Sequence, residues 1–235
     1  MNKIKIIRSI VLLALLLVIT ACGAKEETST KKLELPASSL AKLIIDHRNG
    51  EIQISGSTDS DKIEVVALAI ANGISMDKLE LALEARNENA YLDARFGGQF
   101  LAMGSGAVNL DIKVPKQLQL DITAHRDGSI HISDVSSSAK IDNINGEIQV
   151  SNLSGSLEID NRDGDITVRN IGSDISINNI NGHIAVDQID GSADIHVGDG
   201  SLDINRVGKD ASITQSGNGE VKIGEVKGNV IRNKK

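Results

Sequence analysis

The sequence predicts an all-β protein, a parallel β-solenoid of about 18-residue coils behind an irregular N-terminal β-cap. Three observations lead there. Glycines preceded by Asp or Asn fall at Gly128, Gly146, Gly164, Gly182 and Gly200, eighteen residues apart each time, and at Gly219 after nineteen. Each is followed by the same alternation: Ile130/Ile132, Ile148/Val150, Ile166/Val168, Ile184/Val186, Leu202/Ile204 and Val221/Ile223. Tryptophan is absent and the only aromatics are Tyr91, Phe96 and Phe100, so the core must be aliphatic where most cores lean on large rings.

In chain order, residues 1–21 come first. Lys3, Lys5 and Arg8 form a basic start, an apolar run spans Ile10 to Ile19, and "ITAC" closes the segment at Cys22. These are the three parts of a secretory signal, and the run is shorter than the roughly 20 residues of a membrane span. "ITAC" resembles the lipobox of bacterial lipoproteins, in which the cysteine is acylated through its sulfur and becomes the first mature residue. Cys22 is the only cysteine, so no internal disulfide can form, and lipidation accounts for a thiol in an oxidising compartment. Several acyl chains anchor stably, because each buried methylene contributes about 0.8 kcal/mol. Residues 22–32, including "GAKEETSTKK", are small, polar and without apolar period, and read as a flexible tether.

Residues 33–126 read as N-terminal β-strands, the cap and the first coils. "KLIIDHRNGEIQIS", Lys42 to Ser55, already matches the repeat through Leu43, Ile45, Asn49, Gly50, Ile52 and Ile54. Alternation continues over Lys62–Ala71, Ala107–Pro115 and Leu118–His125. "KLELALEAR", Lys78 to Arg86, favours helix by propensity, yet Leu79, Leu81, Leu83 and Ala85 alternate strictly, which demands a strand with "RNENA" as a hairpin turn. The glycine-rich Phe96–Ala107 lacks both GxxxxGK[ST] and a GxGxxG opening a helix, and reads as a loop. Residues 127–235 form the regular solenoid. A third aliphatic position recurs at Val135, Leu153, Ile171, Ile189, Val207 and Val226, and the second half of each unit repeats the first, giving a nonapeptide word. Alternation makes a strand, and Asp-Gly or Asn-Gly makes a turn. One unit cannot bury its aliphatic face alone, but a stack can. Six coils at about 4.8 Å give a rod of about 29 Å.

The same Asn-Gly signals also suit an antiparallel meander, but a meander needs no fixed period. Asn143, Asn152, Asn161, Asn170 and Asn179, nine apart, fit an amide ladder along the stack; the alternative is a row of ligand amides. "GNVIRNKK" breaks the pattern with Arg232 at an aliphatic position, as a capping terminus would.

Loss of residues 1–21 removes three basic and no acidic groups, leaving 22 basic against 32 acidic and moving the net charge from −7 to −10. Such a chain repels phosphate backbones, which argues against nucleic-acid binding. The five histidines, His47, His125, His131, His183 and His196, fall mostly at outward positions and form no close metal pair. His125 with Asp127 and nearby serines makes a triad only on paper. Asp163, Asp165, Asp187, Asp190, Asp199 and Asp203 crowd the turns, but the calcium word GGxGxDxUx is absent, and "DNRDGD" has Arg162 where an EF-hand needs a ligand. No catalytic residue, metal ligand or cofactor is expected. The outward faces lack the aromatic platform and clustered acid and base of a carbohydrate-active site.

"NLDIKVPKQLQLDITAHRDGSIHIS" followed by "NGEIQVSNLSGSLEIDN" resembles a bacterial family of β-strand-repeat envelope proteins named putative adhesins, to which the auto-transporter adhesin head domain is related. The likeness covers roughly residues 40–230. It implies a right-handed β-solenoid and no catalytic residues. The combined expectation is a non-catalytic lipoprotein scaffold on the extracytoplasmic face of a cell membrane, held by its lipid and contacting an extracellular protein or glycan. The alternatives are a carbohydrate-active β-helix enzyme and an accessory protein that binds a partner in envelope-stress signalling.

Overall fold

The computed structural model describes residues 13–15, 26–97 and 104–235. Cys22 and most of the leader lie outside them; of the leader only β1 (Leu13–Leu15) is described, antiparallel to β2 (Glu26–Pro36). The strands that follow are β3 (Lys42–His47), β4 (Ile52–Ser57), β5 (Lys62–Asn72), β6 (Leu79–Arg86), β7 (Asn89–Phe96), β8 (Ser105–Pro115), β9 (Gln119–His125) and β10 (Ile130–Val135). Next come β11 (Ala139–Asn145), β12 (Ile148–Leu153), β13 (Leu157–Asp163), β14 (Ile166–Ile171), β15 (Ile175–Ile189), β16 (Ala193–Val207), β17 (Ala211–Gln215), β18 (Val221–Ile223) and β19 (Val230–Lys234). A 3-10 turn, Met76–Lys78, precedes β6.

Two parallel ladders carry the solenoid. One runs β8–β4–β10–β12–β14 and on through the second halves of β15 and β16 to β18. The other runs β7–β3–β9–β11–β13, the first halves of β15 and β16, then β17 and β19. In the regular part strand residues pair with their own equivalents one coil away, as Ile148 pairs with Ile130 and Ile166. Those pairings give the parallel stack that the fixed period predicts and exclude the meander.

The first coil in sequence is not the first in space. β3 and β4 lie between β7–β8 on one side and β9–β10 on the other. From β4 the chain leaves through β5 and β6, returns as β7 and β8, and crosses back over at Lys116–Leu118. There Lys116 N donates to Ser57 O at 3.1 Å and Gln119 N donates to Ala41 O at 3.0 Å. Pro115 closes β8, where a missing donor does no harm to the ladder.

The N-terminal end is antiparallel. β5 pairs with β2 over eleven residues and with β8 over nine, and β6 pairs with β7. The stretch Leu79–Arg86 is a strand, because alternation that places Leu83 in the core outweighs helix propensity. Its hairpin turns at Asn87, with φ of 56°. Residues 26–32, expected as tether, are instead the first half of β2. They hydrogen-bond along β5 and bury Ser29, a backbone pairing that no apolar period announces. Of the loop expected over Phe96–Ala107, Phe96 ends β7, Ser105–Ala107 open β8, and 98–103 lie outside the described residues.

The core is a set of continuous aliphatic columns. Leu43, Ile45, Ile52, Ile54 and the repeat positions from Ile130 to Ile213 are fully or almost fully buried. At the corners Gly128, Gly146, Gly164 and Gly182 have φ between 123° and 134°. A Cβ at Gly164 would collide with the carbonyl oxygen of Gly146, one coil below, and the same relation links Gly128 to Gly50. Side-chain-free residues here let coils stack at strand spacing. β15 and β16 run unbroken across this corner, since Gly182 pairs with Gly200.

One inward column is polar. It reads His47, His125, Asn143, Asn161 and Asn179, all buried. Asn143 Nδ2 donates to Asn161 Oδ1 and Asn161 Nδ2 to Asn179 Oδ1, both at 2.8 Å; Asn179 Nδ2 then donates to the carbonyls of Gly164 and Asn181. At the other end His125 Nδ1 donates to Asn143 Oδ1 at 2.5 Å, and its ring stacks on His47 at 5.1 Å. These two are the exceptions to the expectation that the five histidines fall mostly at outward positions. His47 sits at the offset from Leu43 and Ile45 that Asn161 holds from Leu157 and Ile159. His125 reaches the column because β9 carries an irregularity before Asn143's partner, with Ala124 at φ of 57°. His131, His183 and His196 stay at the surface.

His47 Nε2 donates to Val108 O at 2.7 Å, and Nδ1 has no partner. Burial, partly offset by the Val108 bond, lowers its pKa from 6.5 to about 4. Between those values the unfolded chain takes up a proton that the fold excludes, so this contribution is intact above pH 6.5 and lost as pH falls toward 4. The loss is expected to reach about 3 kcal/mol. Denaturant midpoints measured from neutral to acid pH should fall less steeply in His47→Asn than in the parent. Separately, Gly164→Ala should cost more than about 2 kcal/mol in the same assay through its left-handed φ and the clash with Gly146.

Candidate interaction surfaces

Outside the core the repeat builds flat polar faces. On the first ladder the outward columns read His131, Gln149, Thr167, Ala185, Asp203 and Ser133, Ser151, Arg169, Asp187, Asn205. On the second they read Asp121, Lys140, Glu158, Ser176, Asp194 and Asp142, Asp160, Asn178, His196. The second face is the more acidic, with five carboxylates around one lysine in those columns. Lys140 Nζ lies 2.8 Å from Glu158 Oε1. Burial raises the pKa of Asp142; Lys140 opposes the shift, while Asp160, Asp121 and Glu158 add to it. On the first face Arg206 holds the Asp187 carboxyl below its ordinary range through hydrogen bonds.

The corner before each turn glycine carries an ordered alternation. In spatial order the column reads Asn49, Asp127, Asn145, Asp163, Asn181, Asp199. Asn145 Nδ2 donates to Asp127 Oδ1 at 3.1 Å and Asn181 Nδ2 to Asp163 Oδ1 at 2.6 Å. The Asn181 bond, helped by Arg162, lowers the pKa of Asp163. Identical carboxylates one rung apart would repel; an amide between them donates instead. Beside this column runs a ridge of Arg126, Ile144, Arg162 and Ile180, all exposed.

The opposite corner is an amide ladder in left-handed conformation. Asp134, Asn152, Asn170, Gln188 and Arg206 have φ between 55° and 61°, which Asn and Asp tolerate through short polar side chains. Asn152 donates to Asp134 at 2.9 Å and Asn170 to Asn152 at 2.8 Å. The nine-residue asparagine series therefore divides. Asn143, Asn161 and Asn179 form an internal ladder, and Asn152 and Asn170 an external one.

Open depressions mark the surface of the described residues. One of about 520 Å³ lies among Lys32, Glu34, Glu64, Asp111 and Lys113; one of about 530 Å³ lies among Glu26, Asn49, Asn72 and Asp127; one of about 320 Å³ lies beside Asp134, Asn152 and Asn170. The residues of the paper triad do not meet. His125 is buried, its Nδ1 on Asn143 and its Nε2 3.1 Å from Gly50 O. Arg162 and Asp163 pair with each other at 2.8 Å at the exposed corner. The turn aspartates are dispersed: Asp163 and Asp199 flank Asn181, Asp165 accepts from His183 N, and Asp187 is held by Arg206. Among the described residues, no three His, Cys, Asp or Glu side chains are placed to hold a metal ion. Cys22, the lipidation residue expected from the sequence, lies outside the described residues.

Asn181→Asp should place three carboxylates on consecutive rungs and destabilise the chain by about 0.5–1 kcal/mol. The penalty should shrink at high ionic strength; thermal melts of parent and variant at low and high salt measure it.

No family model matches the chain, and no curated protein matches it. Solved structures do. The chain is similar to a putative cell adhesion protein from Clostridium sporogenes at 13% identity and a TM-score of 0.33, covering 90% of this chain and 100% of that one. A putative adhesin from Bacteroides fragilis is similar at 15% identity and a TM-score of 0.43, with 90% and 98% covered. A putative adhesin from Parabacteroides merdae is similar at 13% identity and a TM-score of 0.33, with 92% and 97% covered.

Proposed function

We propose that the chain is an extracytoplasmic lipoprotein, anchored through Cys22, whose β-solenoid is a non-catalytic scaffold for adhesion or envelope interaction. The observation that carries the scaffold reading is the division of labour within each coil. Aliphatic columns fill the interior, and the outward columns of both ladders are continuous, open and polar, with varied side chains. Straight faces of this kind suit broad contact with an extracellular protein or glycan. The buried, fully engaged His125 supports the non-catalytic reading, because the histidine best placed in sequence to act as a base reaches no substrate. The anchor rests on the basic start, the apolar run and "ITAC". Three residues, Gly23 to Lys25, separate Cys22 from β2, so a lipid there would hold the N-terminal cap close to the bilayer and point the regular coils away.

Cys22→Ala is expected to move nearly all of the protein from the membrane to the soluble fraction and to abolish the acyl mass on the N-terminal peptide. Membrane retention without the lipid would overturn the anchor. The scaffold reading expects the solenoid to bind whole cells or members of a glycan and matrix-protein panel without altering them. Release of cleaved glycan from that panel would replace it with the carbohydrate-active alternative.

A further inference from the structure

The last coil differs from the others in charge and in packing. The whole chain carries −7, yet residues 220–235 hold Lys222, Lys227, Arg232, Lys234 and Lys235 against Glu220 and Glu225. Within β19, Val230 and Ile231 are 45% and 57% exposed, at the top of the range for large aliphatics among the described residues. β19 pairs in parallel with β17 on one edge and, among the described residues, with nothing on the other.

The backbone direction of that open edge follows from two hydrogen bonds. Ala211 N donates to Asn229 O and Lys235 N donates to Gln215 O, both at 2.9 Å. In a parallel ladder successive residues turn their N–H and C=O to opposite neighbours. Asn229, Ile231, Asn233 and Lys235 therefore serve β17, while Val230, Arg232 and Lys234 present theirs to the open edge. The side chains of these same three stack over Ala211, Ile213 and Gln215, on the line of the core columns. Arg232 donates to Gln215 Oε1 at 3.3 Å.

We propose that the open edge of β19 docks an extended acidic segment of a partner protein, which adds as one further rung. The backbone supplies the hydrogen bonds of strand addition, and the side chains on the line of the core supply selectivity. The rung would set an aliphatic residue over Val230 and carboxylates over Arg232 and Lys234. An apolar rung would bury two cations without partners, which is costly, and a second copy of this edge would bring like charges together. A polyanion lacking a strand would pair with the cations and leave the edge groups of Val230 unused. The proposal names a partner class for the scaffold reading but stands on β19 alone, so loss of membrane anchoring or of panel binding leaves it untouched.

The test is fluorescence anisotropy with the full chain and a labelled peptide, Ser-Val-Thr-Glu-Thr-Glu-Ser. The expected result is binding that weakens at least about tenfold when both glutamates become lysine, about 1.4 kcal/mol or more. Val230→Pro, which removes an open-edge N–H and leaves both cations and the β17 bonds, should weaken it similarly. So should methylation of the two threonine nitrogens, which leaves the protein unaltered. The double variant Arg232→Glu with Lys234→Glu should prefer the lysine peptide. Absent binding, equal binding of both peptides, or undiminished binding of the methylated peptide would each overturn the proposal, the last by showing attraction of charge alone.

Discussion

Every residue of the regular solenoid lives one strand spacing from its own equivalent, and this vertical self-contact governs the rest of the structure. Parallel pairing at about 4.8 Å means that a side chain is judged less by its neighbours in sequence than by a stack of copies. Aliphatics satisfy the condition at once, and so the columns through Ile148, Ile166 and Ile184 continue without a void-filling ring. Glycine satisfies it at the tight corner, where any Cβ would strike the carbonyl of the coil below. Amides satisfy it by donating to the next oxygen. At the Asp–Asn corner charges satisfy it by dilution; where two carboxylates do meet, at Asp142 and Asp160, burial and the neighbouring charge raise the pKa of Asp142.

The same condition explains the N-terminal cap. A solenoid must stop somewhere, and a bare parallel edge invites further pairing. Here the chain winds β3–β4 first, then places β7–β8 on one side of it and β9–β10 on the other, so that the antiparallel strands β2, β5 and β6 close the end where the chain started. The long strands of the cap share the interior line of the coils through Ile63, Val65, Leu92 and Ile112, and the core is one body from cap to last coil. Across the opposite end lie Val230, Arg232 and Lys234 of β19, with Arg232 donating to Gln215.

Most of this was legible in the sequence because the aliphatic word states both strand period and coil period. The columns through Ile132, Ile141 and Leu153 are buried as the alternation requires, and Leu79–Arg86 is a strand despite its helix-favouring composition. What was not legible depends on contacts between distant segments. The stretch Asn49–Ser55 carries the same word as the later coils, and nothing in it says that it lies beneath Asp127 rather than beneath the coil that follows it in sequence. The strand over 26–32 exists because β5 offers an edge, not because its residues alternate. His47 stood at the offset of the buried asparagines and was readable in principle, whereas His125 was displaced by one residue and needed the kink at Ala124 to join them. Of the candidate site, Cys22 was read from a local motif that strand pairing does not address.

The Asp–Asn corner shows most directly that spatial rather than sequential adjacency is being satisfied. Along the chain, Asp127, Asn145, Asp163, Asn181 and Asp199 alternate every coil, which a duplicated two-coil unit alone would produce. Asn49 separates the explanations. It is far from Asp127 in sequence and belongs to a coil of the cap, yet it is the residue bridged to Asp127 in the structure and it carries the amide that continues the alternation. Its own Nδ2 donates onward to Gly106 O at 3.3 Å, into the cap. A duplication cannot choose the residue at a position wound out of order; repulsion between carboxylates one rung apart can, since it acts on whatever the fold places there.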